Sequence, residues 1–514
     1  MLPPFPRISA ALAAFLFALL ASAQQNDIPL NRDIYYDIDR NGAAKSSTMH
    51  TGLRPIIESR ADLHNVMGYR PDSTKRSTWI ARKLFAEHLV NVKQGDFALI
   101  LDPVFQFEVG KDFREGSEFS DTHLMGHNGR GFRIAADLGP TVSFQSTFYE
   151  NQATLPGYLY DFSQATEVVP GQGRIKNFDT RGLDFAWAMG NVSWTPINWL
   201  NVQLGQGRHF VGNGYRSMLL SDNTFSYPYV KLSALSTNKR FSYSTIHAKL
   251  QLPGEANRLP TGDASESLFY WKHATFQYLS VNLGPTQIGF FEGTQWNNID
   301  SSGVRPYDPL ELNPVIGVNV LVNGFNGRNT ELLGLDAKWK LCDKAFLYGQ
   351  LATTDPQQGH YAWQAGLQWF NLFQKELHLL LEYDHAAVGT YLRTDARMSW
   401  TQYNQPLASP LGTGFSEAIA QVDYGMTPQI WLHGELSLAQ WEAGGANAMG
   451  QEYDAGTQRV WTDLNVAWRM NQMTNMSIAL GWTNRDLQPA ITGQNSGYVH
   501  ISFQTGLFNR YYDI

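Results

Sequence analysis

The chain has 514 residues, a formal net charge of −7 and one cysteine, and 17% of its residues are charged, against about 25% in ordinary soluble domains. The acidic balance argues against nucleic-acid binding, and the lone Cys342 excludes an internal disulfide. With 15 Trp, 23 Tyr and 29 Phe and no uninterrupted apolar run of about 20 residues, the composition points away from helical membrane proteins.

The N-terminus MLPPFPRISAALAAFLFALLASAQQ combines Arg7, an apolar core from Ile8 to Leu20 and Ala-Ser-Ala at 21–23. This is the pattern of a secretory signal peptide, residues 1–23, cleaved before Gln24. Two classes then remain, a secreted all-β protein or an outer-membrane barrel. Residues 24–95 read as a helical segment: TGLRPIIESRADLHNVMG (51–68) and TKRSTWIARKLFAEHLVNV (74–92) carry helical spacing, Ser77 or Thr78 can cap the second, and 68–78 would link them.

From residue 96 to 514 the pattern changes to period two. In LLGLDAKWKL, Leu333, Leu335, Ala337, Trp339 and Leu341 alternate with Gly334, Asp336, Lys338 and Lys340; ELHLLLEYD places His378, Glu382 and Asp384 on the opposite face from Leu377, Leu379, Leu381 and Tyr383. Strands with one apolar and one polar face suit a barrel with lipid outside and a polar lumen. Short turns such as LGPT (138–141 and 283–286), TPIN (195–198) and TPQ (427–429) alternate with mostly long polar connections, for example 151–180, 211–227, 296–329 and 389–414. Counting from Phe97 to a last strand at 497–508 predicts an all-β fold, a transmembrane antiparallel β-barrel of about 18 strands with a small N-terminal periplasmic α-helical part. The repeated TPxxWL at 195–200 and 427–432 would put Trp199 and Trp431 at the membrane interface.

GQGRHFVGNGYRSMLLSDN (205–223) is glycine-rich but lacks the Gly-Lys-Ser/Thr ending of a phosphate loop. It lies where a strand running outward gives way to a surface loop or one folded into the lumen. Several segments, in order, resemble the Wzi-type capsule-assembly proteins and, within them, the gliding-associated group named RemB. They are WIARKLFAEHL followed by FALILDPVFQFEVG, then the glycine-rich stretch itself, then NTELLGLDAKWKLCDKAFLYGQLATTD, and finally EYDHAAVGTYLRTD with YNQPLASPLGTGFSEAI. The resemblance implies an 18-stranded outer-membrane barrel that acts at the cell surface as a lectin-like anchor or organiser of capsular polysaccharide. One departure is the end of the chain, FQTGLFNRYYDI, which closes on Ile514 where barrel chains commonly end on an aromatic residue.

Acidic sugars present carboxylates that a guanidinium binds through two parallel bonds, and pyranose rings stack on aromatic faces. Arg208, Asn213, Arg216 and Asp222 are therefore candidate glycan-binding residues, with Trp296, Tyr307 and Arg328 in another long loop and Tyr403 and Asn404 in YNQPLASPLGTGFSE. The same residues could instead hold the loops together through Arg–Asp pairs and aromatic packing. There is no Gly-x-Ser-x-Gly elbow, His-Glu-x-x-His pair or Cys/His zinc cluster, so neither catalysis nor a cofactor or metal is expected. The expected partners are surface polysaccharide, the lipid bilayer of the outer membrane, and periplasmic or motility proteins. A porin or polysaccharide channel is the alternative, as is a structural part of gliding or secretion machinery.

Overall fold

Alternating strands joined by tight turns can bury their polar faces in one way that leaves no edge, by closing on themselves. The computed structural model describes residues 25–61, 76–253, 269–297, 299–300, 303–304 and 307–514, and in it 18 antiparallel strands close a barrel. The signal peptide (1–23), residues 62–68 of the first predicted helix, most of its linker and the loop at 254–268 lie outside the described residues.

The first nine strands are β1 (Phe97–Asp112), β2 (Met125–Leu138), β3 (Val142–Thr154), β4 (Gly182–Ile197), β5 (Leu200–Gly207), β6 (Tyr227–Leu235), β7 (Phe241–Pro253), β8 (Phe269–Leu283) and β9 (Thr286–Trp296). The second nine are β10 (Thr330–Cys342), β11 (Ala345–Asp355), β12 (His360–Trp369), β13 (Leu377–Ala386), β14 (Thr413–Gly425), β15 (Ile430–Ala446), β16 (Gln458–Asn471), β17 (Met476–Gln488) and β18 (Ser496–Thr505). Each pairs with the next, and β18 returns to β1 in a register that sets Tyr498 opposite Asp112 and Gln504 opposite Gln106. Both Leu-Gly-Pro-Thr turns hold their glycine at positive φ, +72° at Gly139 and +71° at Gly284, a conformation that a Cβ would strain.

The predicted alternation is physical. Along β10, Leu335, Trp339 and Leu341 are exposed while Asp336, Lys338 and Lys340 are buried. Exposed apolar side chains continue around the outside, with Trp194, Trp339, Trp369 and Trp468 towards the short-turn end and Trp271 and Trp363 towards the long-loop end. An apolar belt between aromatic girdles is the surface a bilayer requires. Trp431 departs from expectation. In β15 it falls on the inward face with His433 and Glu435, and its ring meets Tyr36 edge-on at 5.1 Å, so it faces the lumen and not the membrane interface.

The N-terminal segment fills the short-turn end of the lumen, and its helices differ from those predicted. Helix α1 (Arg32–Gly42) is capped by the Asn31 side chain, which accepts from the Asp33 amide. Its Tyr35 and Ile38 pack with Ile28, Leu30 and Ile56, and its Asp39 pairs with Arg54 at 2.7 Å. Within 51–61 the chain is not α-helical: Leu53–Arg54 is extended and Glu58–Arg60 forms one 3₁₀ turn. Lumen lysines fasten the segment, Lys338 donating to the Thr51 hydroxyl and Lys340 to the Ser47 carbonyl. Helix α2 (Trp79–Phe85), capped by Thr78, is shorter than predicted, because Val90–Gln94 leaves the helix to pair with β1. The sheet thus begins ahead of residue 96. The last strand stops at Thr505, and residues 506–514 turn back into the lumen, where Leu507, Tyr511 and Asp513 are buried.

If the outer face of β10 meets lipid, Leu335→Arg destabilises the barrel by about 2–4 kcal/mol. Denaturant titration of the protein folded into lipid vesicles measures this.

Candidate functional site

Strand β5 has only eight residues, after which the glycine-rich stretch turns inward and crosses the lumen. Its path needs glycine at Gly214, where a Cβ would sit 2.3 Å from the Glu382 carboxylate. The room left there lets the Tyr215 and Arg216 amides donate to Glu382 at 2.7 and 2.8 Å. On its other side Phe210–Val211 pairs antiparallel with Leu53–Arg54 of the N-terminal segment. The loop at 389–412 closes over it: Tyr391 Oη donates to the Met218 carbonyl and Trp400 Nε1 to the Leu219 carbonyl.

Arg216 is fully buried. Its Nε and Nη2 grip Glu417 at 2.9 and 2.8 Å, and Nη2 also donates to Asp513 at 2.6 Å. Arg459, equally buried, donates to the same Glu417 at 2.7 Å, to Ser437 at 2.6 Å and to the Asp513 carbonyl. Two guanidinium groups and two carboxylates thus neutralise each other at the junction of the crossing loop, β14, β16 and the C-terminal tail.

The other residues of this loop are held as firmly. Arg208 Nη1 donates to the carbonyls of Gly171, Asp222 and Thr224 at 2.8–3.1 Å, with its guanidinium 5.6 and 5.5 Å from the rings of Trp187 and Phe508, which stack on each other at 4.4 Å. Asp222 accepts from Tyr511 Oη at 2.6 Å and from Asn509 at 3.0 Å. Asn213 accepts from the Thr51 hydroxyl at 2.6 Å. Buried Trp296 donates to Thr275. Tyr403 and Asn404, both at φ +57°, form the two-residue turn of a small hairpin between Thr401–Gln402 and Gln405–Pro406, the geometry of a type I′ turn. The Asn404 amide donates to the Thr166 and Pro253 carbonyls, and the Tyr403 ring lies 4.7 Å from Phe225.

Arg208, Asn213, Arg216, Asp222, Tyr403 and Asn404 therefore face partners inside the protein, because the loops that carry them fold inward, and Trp296, the last residue of β9, is buried against Thr275. Tyr307 and Arg328 are on the surface: the Tyr307 ring is half exposed and sits 6.0 Å from His273, and the Arg328 side chain is 59% exposed, 3.8 Å from Asp308.

Sequence reasoning missed a second surface group at the long-loop end. Phe119 and His123 stack at 4.4 Å on the short helix Glu118–Thr122, and the Arg181 guanidinium lies 4.8 Å from both the Phe119 and Tyr160 rings. Ser117, whose hydroxyl caps that helix, is the local signal that could have located it.

Arg216→Ala leaves buried carboxylates without their counter-ion and is expected to cost about 3–5 kcal/mol. Arg328→Ala is expected to stay within about 0.5 kcal/mol. Chemical denaturation in one detergent, followed by tryptophan fluorescence, compares the two.

No protein-family model matches the chain, and no curated protein sequence matches it. Among solved structures it is similar to Wzi of Escherichia coli, described as an outer-membrane protein involved in group 1 capsule assembly and a carbohydrate-binding β-barrel, with 13% identity, a TM-score of 0.58 and coverage of 93% of this chain and 99% of that one. Acinetobacter baumannii OccAB3 aligns at 9% identity and a TM-score of 0.46 over 80% of this chain and 99% of that one. Pseudomonas aeruginosa OpdO aligns at 11% and 0.44 over 80% and 96%. The likeness to Wzi is one of fold, and this chain has a Wzi-like closed 18-stranded antiparallel β-barrel fold.

Proposed function

We propose that this barrel binds and organises surface polysaccharide at its long-loop rim, as a lectin-like anchor and without catalysis. The observation that carries the reading is the filled lumen. The crossing loop and the C-terminal tail meet there on buried, mutually neutralised charges, and the N-terminal segment pairs with the crossing loop beside them, which leaves the rim as the working surface and argues against a porin or polysaccharide channel. In outer-membrane barrels the long loops face the exterior and the short turns the periplasm. Tyr307 with the exposed Arg328, and the Phe119–His123 stack, offer flat faces and a guanidinium suited to pyranose rings that carry carboxylates. Arg181 is held by Glu115 at 2.7 Å and braces Phe119 from within.

Two further observations support this reading: the carbohydrate-binding description of the structurally similar Wzi, and the ordered segments that resemble the capsule-assembly proteins. Export through the secretory route, membership of the gliding-associated branch and motility partners belong to the same proposal and rest on the sequence alone; on that reading the short-turn end of the lumen, where residues 25–61 pack, faces the periplasm. In it the buried candidates act indirectly: Arg208, Asn213, Arg216, Asp222, Trp296, Tyr403 and Asn404 set the shape of the loops that carry the rim.

The test is binding of the detergent-purified protein to polysaccharide extracted from its own cells. Saturable binding is expected, weakened about tenfold or more, a loss of about 1.4 kcal/mol, in a Tyr307→Ala, Arg328→Ala, Phe119→Ala variant that remains a folded barrel. Absence of binding by the wild-type protein overturns the reading.

A further inference from the structure

The lumen is filled unevenly. At the short-turn end the stretch from Asn41 to Arg60 stands off from the wall made by β6, β7 and β8 and encloses a cavity of about 690 Å³, within the range of about 300–1,000 Å³ usual for small-molecule sites. Its rim is formed by exposed Ser46, Asn198 and Lys239, so it opens at the end opposite Tyr307 and Arg328.

The chemistry of the lining is one-sided. Among the described residues it carries Arg60, Lys231 and Lys239 and no carboxylate, in a chain whose net charge is −7. Lys231 is the telling group. It is 2% exposed, and its one charged partner, Asp27, lies 4.0 Å away, beyond hydrogen-bond reach. Asp27 is already engaged, accepting from Gln203 at 2.8 Å and Asn191 at 2.7 Å. The ammonium group therefore makes no hydrogen bond among the described residues, a costly state for a buried charge that an anion would relieve.

Around it the wall is lined with hydroxyls. Ser233 and Ser244 share one bond at 2.9 Å, and Ser280 is bonded to His50 Nδ1 at 2.8 Å. A hydroxyl offers one donor and two acceptor positions, so each keeps capacity for a further partner. Met49 and Leu53 supply an apolar patch on the facing side. A buried cation, an arc of hydroxyls and an apolar patch complement a molecule that is at once anionic, polyhydroxylated and ring-shaped.

We propose that this cavity binds a small acidic carbohydrate, a uronate or a sugar phosphate, with its anionic group on Lys231 and its hydroxyls on Ser233, Ser244 and Ser280. The site is separate from the outer rim and stands whether or not the rim binds polysaccharide.

Isothermal titration of the full detergent-purified chain with glucuronate, glucose 6-phosphate, glucose and inorganic phosphate tests it. Saturable binding of glucuronate or glucose 6-phosphate is expected, and the tighter of the two identifies the anion. Glucose and inorganic phosphate should each bind about tenfold or more weakly, as should the preferred acidic sugar to Lys231→Met, each corresponding to about 1.4 kcal/mol. Ser244→Ala, Ser280→Ala tests the hydroxyl arc without touching the charge and should also weaken binding. Heat-modifiable gel migration establishes that each variant is folded. The proposal is overturned if neither acidic sugar binds, if folded Lys231→Met binds as tightly as wild type, or if inorganic phosphate matches glucose 6-phosphate.

Discussion

The pairing of Arg216 and Arg459 with Glu417 and Asp513 is the constraint on which the interior depends. Removing a charge from water costs several kcal/mol even after relaxation, and the attraction of a partner repays this only when geometry is good and the remaining donors and acceptors are satisfied. Here the two Glu417 oxygens meet both guanidinium groups at 2.7–2.9 Å. The four side chains come from a loop, two strands and the C-terminal tail, so the cluster forms only when all four are in place. It specifies one arrangement of the lumen more than it adds net stability.

That arrangement determines what the rest of the molecule can do. A crossing loop pinned at Arg216 brings Tyr215 and Asp222 to the tail, where Tyr511 and Asn509 meet Asp222, and it supports the 389–412 loop above it through Met218 and Leu219. The long-loop rim consequently rests on a packed interior, and its aromatic and arginine side chains are carried by a rigid base. At the opposite end the N-terminal segment is tied at Thr51 and Ser47 but stands off near Lys231, leaving space beside an ammonium group whose charged partner Asp27 is beyond hydrogen-bond reach.

The barrel was legible in the sequence because its physics is local. Lipid on one side and polar groups on the other impose period two on each strand, and the tight turns impose Gly and Pro, so strand number and order could be read directly. The interior was not. Helix α1 carries Asp33, Asp37, Asp39 and Arg40 because it packs in a polar lumen, and its apolar stripe is only the short set Ile34, Tyr35 and Ile38, easily passed over in the sequence. Arg208 and Arg216 fit both a role as glycan ligands and one of holding loops together, and spacing could not decide between them: Arg208 is bound by backbone carbonyls, and the Arg216 partners Glu417 and Asp513 lie about 200 and 300 residues away in sequence. Trp431 was misplaced for a similar reason: one residue of register sends a strand side chain to the other face.

The central claim is that this is a barrel with a filled lumen that works at its rim. Single-channel recording of the purified protein in planar bilayers tests it most directly. The account predicts a quiet membrane for wild type, with discrete steps emerging only when residues 208–226 are replaced by a short linker. Stable ohmic steps of porin size from the wild-type protein would contradict it.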